Sequence, residues 1–322
     1  MAVTVLHEAE IKAAVSMKDA IAAMETAFVA YSRKSATVPP VVSLDVPEEG
    51  GEVHIKAAHL HKTAEFVIKV ACGFWENRSR NLPIGSGLML VFSAVTGFPE
   101  AILLDNGYLT ELRTGAAGAV AAKYMARQNI EQVGLFGAGS QGRFQIEALS
   151  QVRSFNRLMV YDHHATNIER YLREMQSRVS AEIVGARTPE EAANGSDIII
   201  TATPARSPVI QPQWIKDGAH ITALGSDGPD KQELDVGVLA KADRIVADSI
   251  VQCLQFGELH HAVERGAIQR DEIDGEIGDV IAGVIPGRLH ENEITVCDLT
   301  GVGVQDAAIA RLVYHNVSQR NG

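Results

Sequence analysis

Gly137, Gly139 and Gly142 have the G-x-G-x-x-G spacing of a turn that can bind a dinucleotide. They follow the apolar run VGLF and precede the helix-like run GRFQIEALSQV, which is the strand–turn–helix context that the motif requires. The first glycine permits a tight bend, the second lets the backbone approach a pyrophosphate, and the third allows close packing of helix and strand. Backbone N–H groups at the helix start bind the phosphates, so Ser140 and Gln141 are also predicted to bind the cofactor. A plain glycine turn is the alternative, because the motif alone is weak evidence.

Asp162 ends the next strand-like run, RLMVYD. It lies about 20 residues beyond Gly142, where dinucleotide-binding folds place an acid that binds the ribose. A carboxylate at this position accepts hydrogen bonds from both ribose hydroxyls and repels a 2′-phosphate. The sequence therefore favours NAD(H) over NADP(H), although His163 and His164 follow and could become cationic.

Polar residues follow two further strand-like runs, and in open α/β sheets ligands bind beyond the carboxyl ends of the strands. DIIITATP places Thr201, Thr203 and Pro204 where they could line the nicotinamide or its ribose. HITALGSDGPDKQELD places Asp227 just past a strand. Asp227 is either a site acid or a turn residue in a loop rich in glycine and proline.

Three basic residues earlier in the chain are candidates for binding an anion. Lys69 lies inside the apolar run EFVIKVACGF, where it either faces solvent on a half-exposed strand or serves a site. Arg113 precedes an alanine-rich run, where it is either a solvated arginine at a helix start or a site residue. Lys56 alternates with hydrophobic residues in EVHIKAAHLH, which predicts the polar, solvated face of a strand. His59 and His61 are two residues apart, but no cysteine or carboxylate completes a metal site, so no metal is expected.

The elements that must position these residues fall into two groups. After an amphipathic helix that begins near Ser16, strand-like runs extend to residue 105 and predict a mixed or antiparallel sheet. LTELRTGAAGAVAAKYMAR then predicts a long helix. From Ile130 onward, short apolar strands alternate with helices, which is typical of a doubly wound parallel sheet. One more strand and a closing helix end the chain.

Composition restricts the classes of partner. Lysine and arginine total 29 against 40 acidic residues, a net charge of −11, so binding to nucleic acid is not expected. The apolar run GLMLVFSAVTGF is shorter than the ~20 residues that a membrane helix needs. Cys72, Cys253 and Cys297 have no metal-ligand spacing and are interpreted as reduced thiols. Together with an N-terminus that lacks a signal peptide, these features predict a soluble cytoplasmic protein.

Nearly the whole chain resembles the ornithine cyclodeaminase/μ-crystallin family. The resemblance rests on FVIKVACGFWENRSRNLP, LTELRTGAAGAVAAKYMAR, VGLFGAGSQG, GSDGPDKQELD, GELHHAV and ITVCDLTGVGVQDAAIARLVY. It implies an α/β protein in which a doubly wound Rossmann-type parallel sheet is inserted into an α+β substrate and dimerisation domain. The substrate domain is expected at residues 1–122, completed by the helix 304–322, and the NAD-binding domain at residues 123–303. A homodimer is also implied.

The resemblance assigns roles to residues that the patterns alone leave open. Lys69 and Arg113 match basic residues that bind the substrate's α-carboxylate near the reacting carbon. Asp227 matches an acid that works beside the nicotinamide. Lys56 stands where ornithine cyclodeaminases carry a glutamate that receives a cationic group. The family's arginine on the preceding strand is missing from VVSLDV, and Ile84 replaces its threonine.

A lysine at position 56 repels a diamine and attracts an anionic substrate. The sequence therefore favours an NADH-dependent imine reductase that acts on a small anionic imino acid. Lys56, with His59 expected nearby, suggests a second carboxylate, as in iminosuccinate, whose reduction gives aspartate. The alternatives are a cyclodeaminase that recycles NAD, an alanine-type amino-acid dehydrogenase and a non-catalytic μ-crystallin-like binding protein.

Overall fold

A computed structural model describes residues 3–321, and the chain divides into two compact units. The first unit comprises residues up to Arg113 together with those from Val302 onward, and the second comprises Thr114–Gly301. The boundaries drawn from the sequence, 122 and 303, differ from these because one helix, Tyr108–Met125, runs through the first boundary without a break.

The elements up to the boundary helix belong to the first unit. Its strands are β1 (Thr4–His7), β2 (Ala36–Thr37), β3 (Val42–Val46), β4 (Gly51–Leu60), β5 (Glu65–Phe74), β6 (Gly85–Ser93) and β7 (Pro99–Leu104). Its helices are α1 (Glu8–Ala14), α2 (Met17–Ser32) and the start of α3 (Tyr108–Met125), with 3-10 helices at Pro47–Glu49 and Trp75–Arg80. Ser16 and Asp19 form a capping box at the start of α2, which begins where the sequence predicts a helix.

The second unit contains the alternating strands and helices. Its strands are β8 (Gln132–Phe136), β9 (Arg157–Tyr161), β10 (Glu182–Gly185), β11 (Ile198–Thr201), β12 (Arg206–Ile210), β13 (His220–Ala223), β14 (Gln232–Leu234), β15 (Arg244–Ala247), β16 (Gly275–Glu276) and β17 (Thr295–Asp298). Its helices are α4 (Ser140–Leu149), α5 (Ala165–Met175), α6 (Pro189–Ala193), α7 (Val236–Lys241), α8 (Ile250–Phe256), α9 (Glu258–Glu264) and α10 (Ile277–Ile281), with 3-10 helices at Pro212–Trp214 and Arg270–Glu272. The chain then returns to the first unit in α11 (Gly303–Asn321).

The sheet of the first unit is mixed. Its strands run in the order β1-β7-β6-β5-β4-β2, and β3 pairs with β4. β1 is parallel to β7, and the other neighbouring strands are antiparallel. α11 packs on β4, β5 and β6 and also against α2. This arrangement agrees with the predicted mixed or antiparallel sheet.

The two faces of this sheet differ in burial. On the face that packs against α11, Val67 and Lys69 of β5 lie opposite Val91 and Met89 of β6, and all four are buried. We call the opposite side the outer face. It is apolar but only half-buried, and its central residues are Phe66, Ile68, Val70, Leu88, Leu90, Phe92, Ile102 and Leu104. Phe66 and Phe92 stack there with ring centroids 5.0 Å apart. The apolar residues of these strands therefore supply a second hydrophobic surface.

The main sheet of the second unit is parallel throughout and doubly wound. Its order is β10-β9-β8-β11-β13-β17-β15-β16, so the chain reverses its winding direction between β8 and β11. This confirms the predicted α/β fold with a Rossmann-type sheet. The sequence does not predict a second, small pair of parallel strands, β12 and β14, because β12 contains a proline and β14 has only three residues.

Buried carboxylates fasten the carboxyl edge of this parallel sheet. Asp298, the last residue of β17, accepts a 3.0 Å hydrogen bond from the N–H of Leu259 near the start of α9. Asp248 follows β15 and accepts hydrogen bonds from the N–H groups of Thr300 and Gly301. Burial, together with the nearby charge of Asp248, raises the pKa of Asp298 to about 7. The edge of the sheet therefore holds a carboxyl group that gains a proton on folding.

Across the described part of the chain, no helix is both long enough and apolar enough to cross a membrane.

The raised pKa of Asp298 predicts a pH-dependent stability. The folded-state pKa is about 7, whereas an unfolded aspartate titrates near ~3.9. The native state therefore holds the extra proton between these values, and its stabilising effect is lost as the pH rises towards 7. In urea unfolding between pH 5 and 8, Asp298→Asn should gain stability relative to wild type by up to ~1.4 kcal/mol per pH unit, levelling off above pH 7.

Asp217→Asn is the matched control, because Asp217 is an exposed aspartate of the same unit. Its unfolding free energy should follow that of wild type across this pH range. A difference between Asp298→Asn and wild type that does not change with pH would contradict the assignment.

Candidate active site

Two of the three motif glycines in the second unit are required by their surroundings. Gly137 follows β8 with φ of 102°, and a Cβ on it would lie 2.5 Å from the carbonyl oxygen of Ala202. A Cβ on Gly142, in the first turn of α4, would lie 2.2 Å from the carbonyl oxygen of Gly137. Both positions exclude a side chain because backbone approaches backbone there. The turn thus has the tight bend and the close helix–strand packing that the motif predicts.

Gly139 has different surroundings. A Cβ on it would meet no atom within 4 Å, and the residue is the N-cap of α4. The start of a helix carries the positive end of its dipole and N–H groups that lack intrahelical partners. Ser140 and Gln141 occupy this first turn. Open space beside a glycine, together with backbone donors, fits a pyrophosphate, so the residues present are compatible with a dinucleotide.

Asp162 stands at the carboxyl end of β9 and is already part of a hydrogen-bond network. Its Oδ2 accepts from the N–H of Ala138 at 2.9 Å, and its Oδ1 accepts from the N–H of His164 and from Nδ2 of Asn167, also at 2.9 Å. These bonds fix the carboxylate beside the glycine turn. Because a carboxylate has about four acceptor positions, three donors leave capacity for one further donor rather than for two ribose hydroxyls.

Thr201 and Thr203 lie at the carboxyl end of β11, as the sequence predicts, but their hydroxyl groups are engaged. Both donate 2.7 Å hydrogen bonds to the buried carboxylate of Glu233. Neither hydroxyl hydrogen is therefore available to a ligand in this arrangement. Pro204 is exposed in the loop that follows. No sequence pattern assigns a role to Glu233, whose side chain is fully buried.

Asp227 lies in the loop after β13, and its side chain is 54% exposed. Its Oδ1 accepts a 2.6 Å hydrogen bond from Nζ of Lys231, four residues later. An ion pair this exposed contributes little to stability. The side chain is accessible at the carboxyl edge of the second unit, which is compatible with either interpretation of Asp227.

In the first unit, Lys69 and Arg113 meet at a single buried carboxylate. Lys69 Nζ on β5 lies 3.0 Å from Oδ1 of Asp306 and 2.9 Å from its Oδ2. Arg113 Nε on α3 lies 3.0 Å from the same Oδ1. All three side chains are less than 10% exposed. We call Lys69, Arg113 and Asp306 the buried charge cluster.

Lys56 belongs to the surroundings of this cluster. It is the direct register partner of Lys69 on the neighbouring strand β4, so both side chains leave the same face of the sheet. That face packs against α11, so Lys56 is half-buried rather than fully solvated. The structure does not bring His59 to Lys56, because residues three apart on a strand point to opposite faces. His59 Nε2 instead lies 3.3 Å from the carbonyl oxygen of Thr63.

Burial and the neighbouring cations shift the pKa of the buried lysine. Burial lowers the pKa of Lys69 to about 7; Asp306 opposes the shift, whereas Arg113 and Lys56 add to it. Burial would raise the pKa of Asp306, but Lys69, Arg113 and Lys56 reverse this and hold it below its usual value. Lys69 therefore changes its charge near neutral pH while Asp306 stays ionised.

Asp105 is a second buried carboxyl that interacts with Lys69, and burial raises its pKa, which favours its neutral form. Its Oδ2 accepts a 2.8 Å hydrogen bond from the N–H of Leu109. Lys69 and Arg113 thus share the carboxylate of Asp306, and Lys56 lies near enough to affect the pKa of both Lys69 and Asp306.

Removal of the Asp306 carboxylate is expected to lower the free energy of unfolding strongly. Asp306→Ala leaves two buried cations without their shared carboxylate, and breaking a buried pair in this way costs about 3–5 kcal/mol. Lys69→Met removes one cation, preserves side-chain volume and leaves Arg113 paired with Asp306. We expect a clearly smaller loss of unfolding free energy for Lys69→Met, measured in urea at pH 6. Equal losses in the two variants would show that Asp306 does not hold both cations.

Comparison with known proteins gives a consistent result. The sequence model of the ornithine cyclodeaminase/mu-crystallin family matches residues 1–321. A solved archaeal alanine dehydrogenase dimer with bound NAD is similar, with 38% identity, a TM-score of 0.93, and coverage of 100% of this chain and 98% of that one.

Two reductases are also similar in structure. The Delta(1)-pyrroline-2-carboxylate reductase of Thermococcus litoralis, solved with NADH and L-proline, is 32% identical with a TM-score of 0.94, covering 99% and 98% of the two chains. The iminosuccinate reductase of Paracoccus denitrificans, solved with NAD+, is 30% identical with a TM-score of 0.89, covering 99% and 97%. The chain belongs to the ornithine cyclodeaminase/mu-crystallin family.

Proposed function

We propose that this protein catalyses the NADH-dependent reduction of a small α-imino acid to an amino acid, with iminosuccinate as its preferred substrate. The observation that carries the proposal is the buried charge cluster with Lys56 on the same face, because it offers cations to more than one carboxylate. The geometry of the glycine turn supports the use of NADH. The similar dehydrogenase and reductases were solved with NAD, NADH or NAD+.

NADH, when bound, supplies the hydride. The residues of the chain supply binding and protons. Arg113 contacts Asp306 through Nε, and since a guanidinium has five N–H donors, this contact does not exhaust it. We assign Arg113 and Lys69 to the α-carboxylate and Lys56 to the second carboxylate. Asp227, exposed beyond β13, is assigned to stabilise the iminium form or to supply its proton.

The direct test is a substrate panel. NADH oxidation is followed with ammonia plus glyoxylate, pyruvate, oxaloacetate or 2-oxoglutarate, and ammonia release from ornithine is measured in parallel. The proposal expects oxaloacetate with ammonia to give the highest kcat/KM. Release of ammonia from ornithine would indicate a cyclodeaminase, and the absence of turnover with every compound would indicate a binding protein.

A second candidate has specific support. The alanine dehydrogenase is 38% identical to this chain, compared with 30% for the iminosuccinate reductase. An enzyme of that kind needs no distal cation. Faster NADH oxidation with pyruvate and ammonia than with oxaloacetate and ammonia would favour this candidate over the proposal.

The position of Asp162 predicts a preference for NADH over NADPH. Its carboxylate is held at the end of β9 by three donors and would repel a 2′-phosphate. Asp162→Ser should narrow the ratio of kcat/KM for the two cofactors. Asp162→Asn removes the charge but keeps the size, so it separates repulsion from loss of packing. A wild-type preference for NADPH would contradict the role assigned to Asp162.

Lys56 predicts an effect that depends on the substrate's second charge. A hydrogen bond between charged groups contributes about 1.5–3 kcal/mol, so Lys56→Ala should lower kcat/KM for the dicarboxylic imine by roughly 10- to 150-fold. The monocarboxylic imine from pyruvate should lose much less. Lys62→Ala, a change of an exposed lysine just beyond β4, is the control. Equal losses with both substrates would remove the support for a dicarboxylate.

The outer face predicts a homodimer. A half-buried apolar surface of this kind marks a protein–protein contact, and the similar alanine dehydrogenase is described as a dimer. We propose that a second copy of the chain covers this face. Sedimentation should show a dimer for wild type and a shift toward monomer for Leu90→Glu. Val95→Glu, at a residue 83% exposed in the β6–β7 turn, should leave the dimer unchanged. A wild-type monomer at every concentration would contradict the proposal.

A further inference from the structure

Glu233 is a fully buried carboxylate that accepts four hydrogen bonds in the second unit. Its Oε1 accepts from the backbone N–H of Thr203 at 2.6 Å and from the hydroxyl of the same residue at 2.7 Å. Its Oε2 accepts from the hydroxyl of Thr201 at 2.7 Å and from the backbone N–H of Gly225 at 2.8 Å. Each oxygen therefore holds one backbone N–H and one hydroxyl.

The donors belong to two neighbouring strand ends. Thr201 ends β11, and Thr203 lies in the loop that follows. Gly225 lies in the loop after β13, which pairs with β11 so that Thr201 lies opposite Ala223. Asp227 is two residues further along the second loop. Glu233 thus ties together two loops at the carboxyl edge of the sheet, where open parallel sheets bind their ligands.

The two loops are in close contact. A Cβ on Gly225 would lie 2.2 Å from the carbonyl oxygen of Thr203 and 2.6 Å from Cδ of Glu233. A second buried carboxylate, that of Glu258, in turn accepts from the backbone N–H groups of Glu233 at 2.7 Å and of Leu234 at 3.1 Å. Glu258, the first residue of α9, therefore holds the backbone of Glu233 in place.

The direction of a bound dinucleotide follows from the sheet order. The glycine turn after β8 receives the pyrophosphate, and Asp162 after β9 receives the ribose of the adenosine half. β9 and β11 flank β8 on opposite sides. The nicotinamide half must then extend toward β11 and β13, and so toward the loops that Glu233 joins.

We propose that Glu233 is a positioning residue for the nicotinamide half of the cofactor. It fixes the loops after β11 and β13 relative to each other and so determines the shape of the surface that receives the nicotinamide. This inference rests on the proposed use of NADH. It assigns to Glu233 no contact with substrate or cofactor.

Glu233→Gln tests the proposal with little change in volume. The backbone N–H groups of Thr203 and Gly225 bind different oxygens, and an amide replaces one of these oxygens with an NH2 group, which cannot accept. One of the two loops must therefore lose its bond. Binding of NADH and of ADP-ribose, which lacks the nicotinamide, is measured by titration, together with kcat and KM.

The expected result is a change confined to the nicotinamide half. In Glu233→Gln, loss of a charge-assisted hydrogen bond should weaken NADH binding by about tenfold or more and leave ADP-ribose binding within about twofold of wild type. kcat should fall as well. Thr201→Val removes one hydroxyl donor at a fully buried residue, and should have the same effect on a smaller scale. This second variant keeps the test valid if Glu233→Gln does not fold.

Asp197→Asn is the matched control. Asp197 is also a buried carboxylate that accepts two backbone N–H groups, those of Glu131 and Gln132. It precedes β11 and so lies at the opposite, amino edge of the sheet. Asp197→Asn should lower stability without changing the ratio of the NADH and ADP-ribose dissociation constants.

Two other outcomes separate failure of the positioning role from failure of the proposed function. If Glu233→Gln changes NADH and ADP-ribose binding equally, or changes neither, the positioning role is overturned while the proposed function stands. If the wild-type protein binds neither NADH nor ADP-ribose, the proposed function itself fails and this inference fails with it.

Discussion

The shared carboxylate of Asp306 is the interaction on which the first unit depends. Lys69 and Arg113 are buried cations, and a buried charge is tolerated only when it is paired and hydrogen-bonded. Asp306 satisfies both through one side chain, and in doing so it joins α11 to β5 and to α3. Residues 69 and 306 are separated by 237 positions. Their contact therefore joins the two chain segments that form the first unit, which the second unit separates in sequence.

This interaction leaves the buried charge cluster with a lysine whose charge depends on pH. One carboxylate faces two cations, and Lys56 adds a third on the adjacent strand. Burial, with a smaller effect from the neighbouring positive charges of Arg113 and Lys56, lowers the pKa of Lys69 to about 7. An incoming carboxylate would favour the charged form of Lys69. Under the proposed function, an anionic substrate would therefore bind with uptake of a proton.

The sequence predicts those features of the molecule that depend on local order. The glycine turn, the strand ends that carry Asp162 and Thr201, and the switch from a mixed to a parallel sheet all follow from patterns within a few residues. Asp306 and Glu233 do not, because each acquires its partners only through tertiary contacts. The sequence holds one signal for Asp306, which is an acidic residue within the largely apolar run VQDAAIA.

The alternation of residues along a strand predicts which side chains share a face of the sheet, but not which face is covered. The alternation predicts that Lys56 points to the face opposite Val53 and Ile55, and the structure agrees. The pattern cannot tell which face of the sheet a helix will cover. In the folded unit α11 covers the face with the lysines, and the apolar side chains form the outer face. Lys56 and Lys69 therefore lie on the covered face together with buried apolar residues such as Val67, and the outer face carries the half-buried apolar side chains.

Proton uptake on binding a stable dicarboxylate tests most directly whether the buried cluster is the carboxylate site. Succinate binding is measured by calorimetry at pH 6 and pH 8 in buffers of different ionisation enthalpy. With the pKa of Lys69 at about 7, wild type should take up about one proton per succinate at pH 8 and almost none at pH 6. Lys69→Arg should take up none at either pH. Uptake that is the same at both pH values, or that persists in Lys69→Arg, would contradict the account.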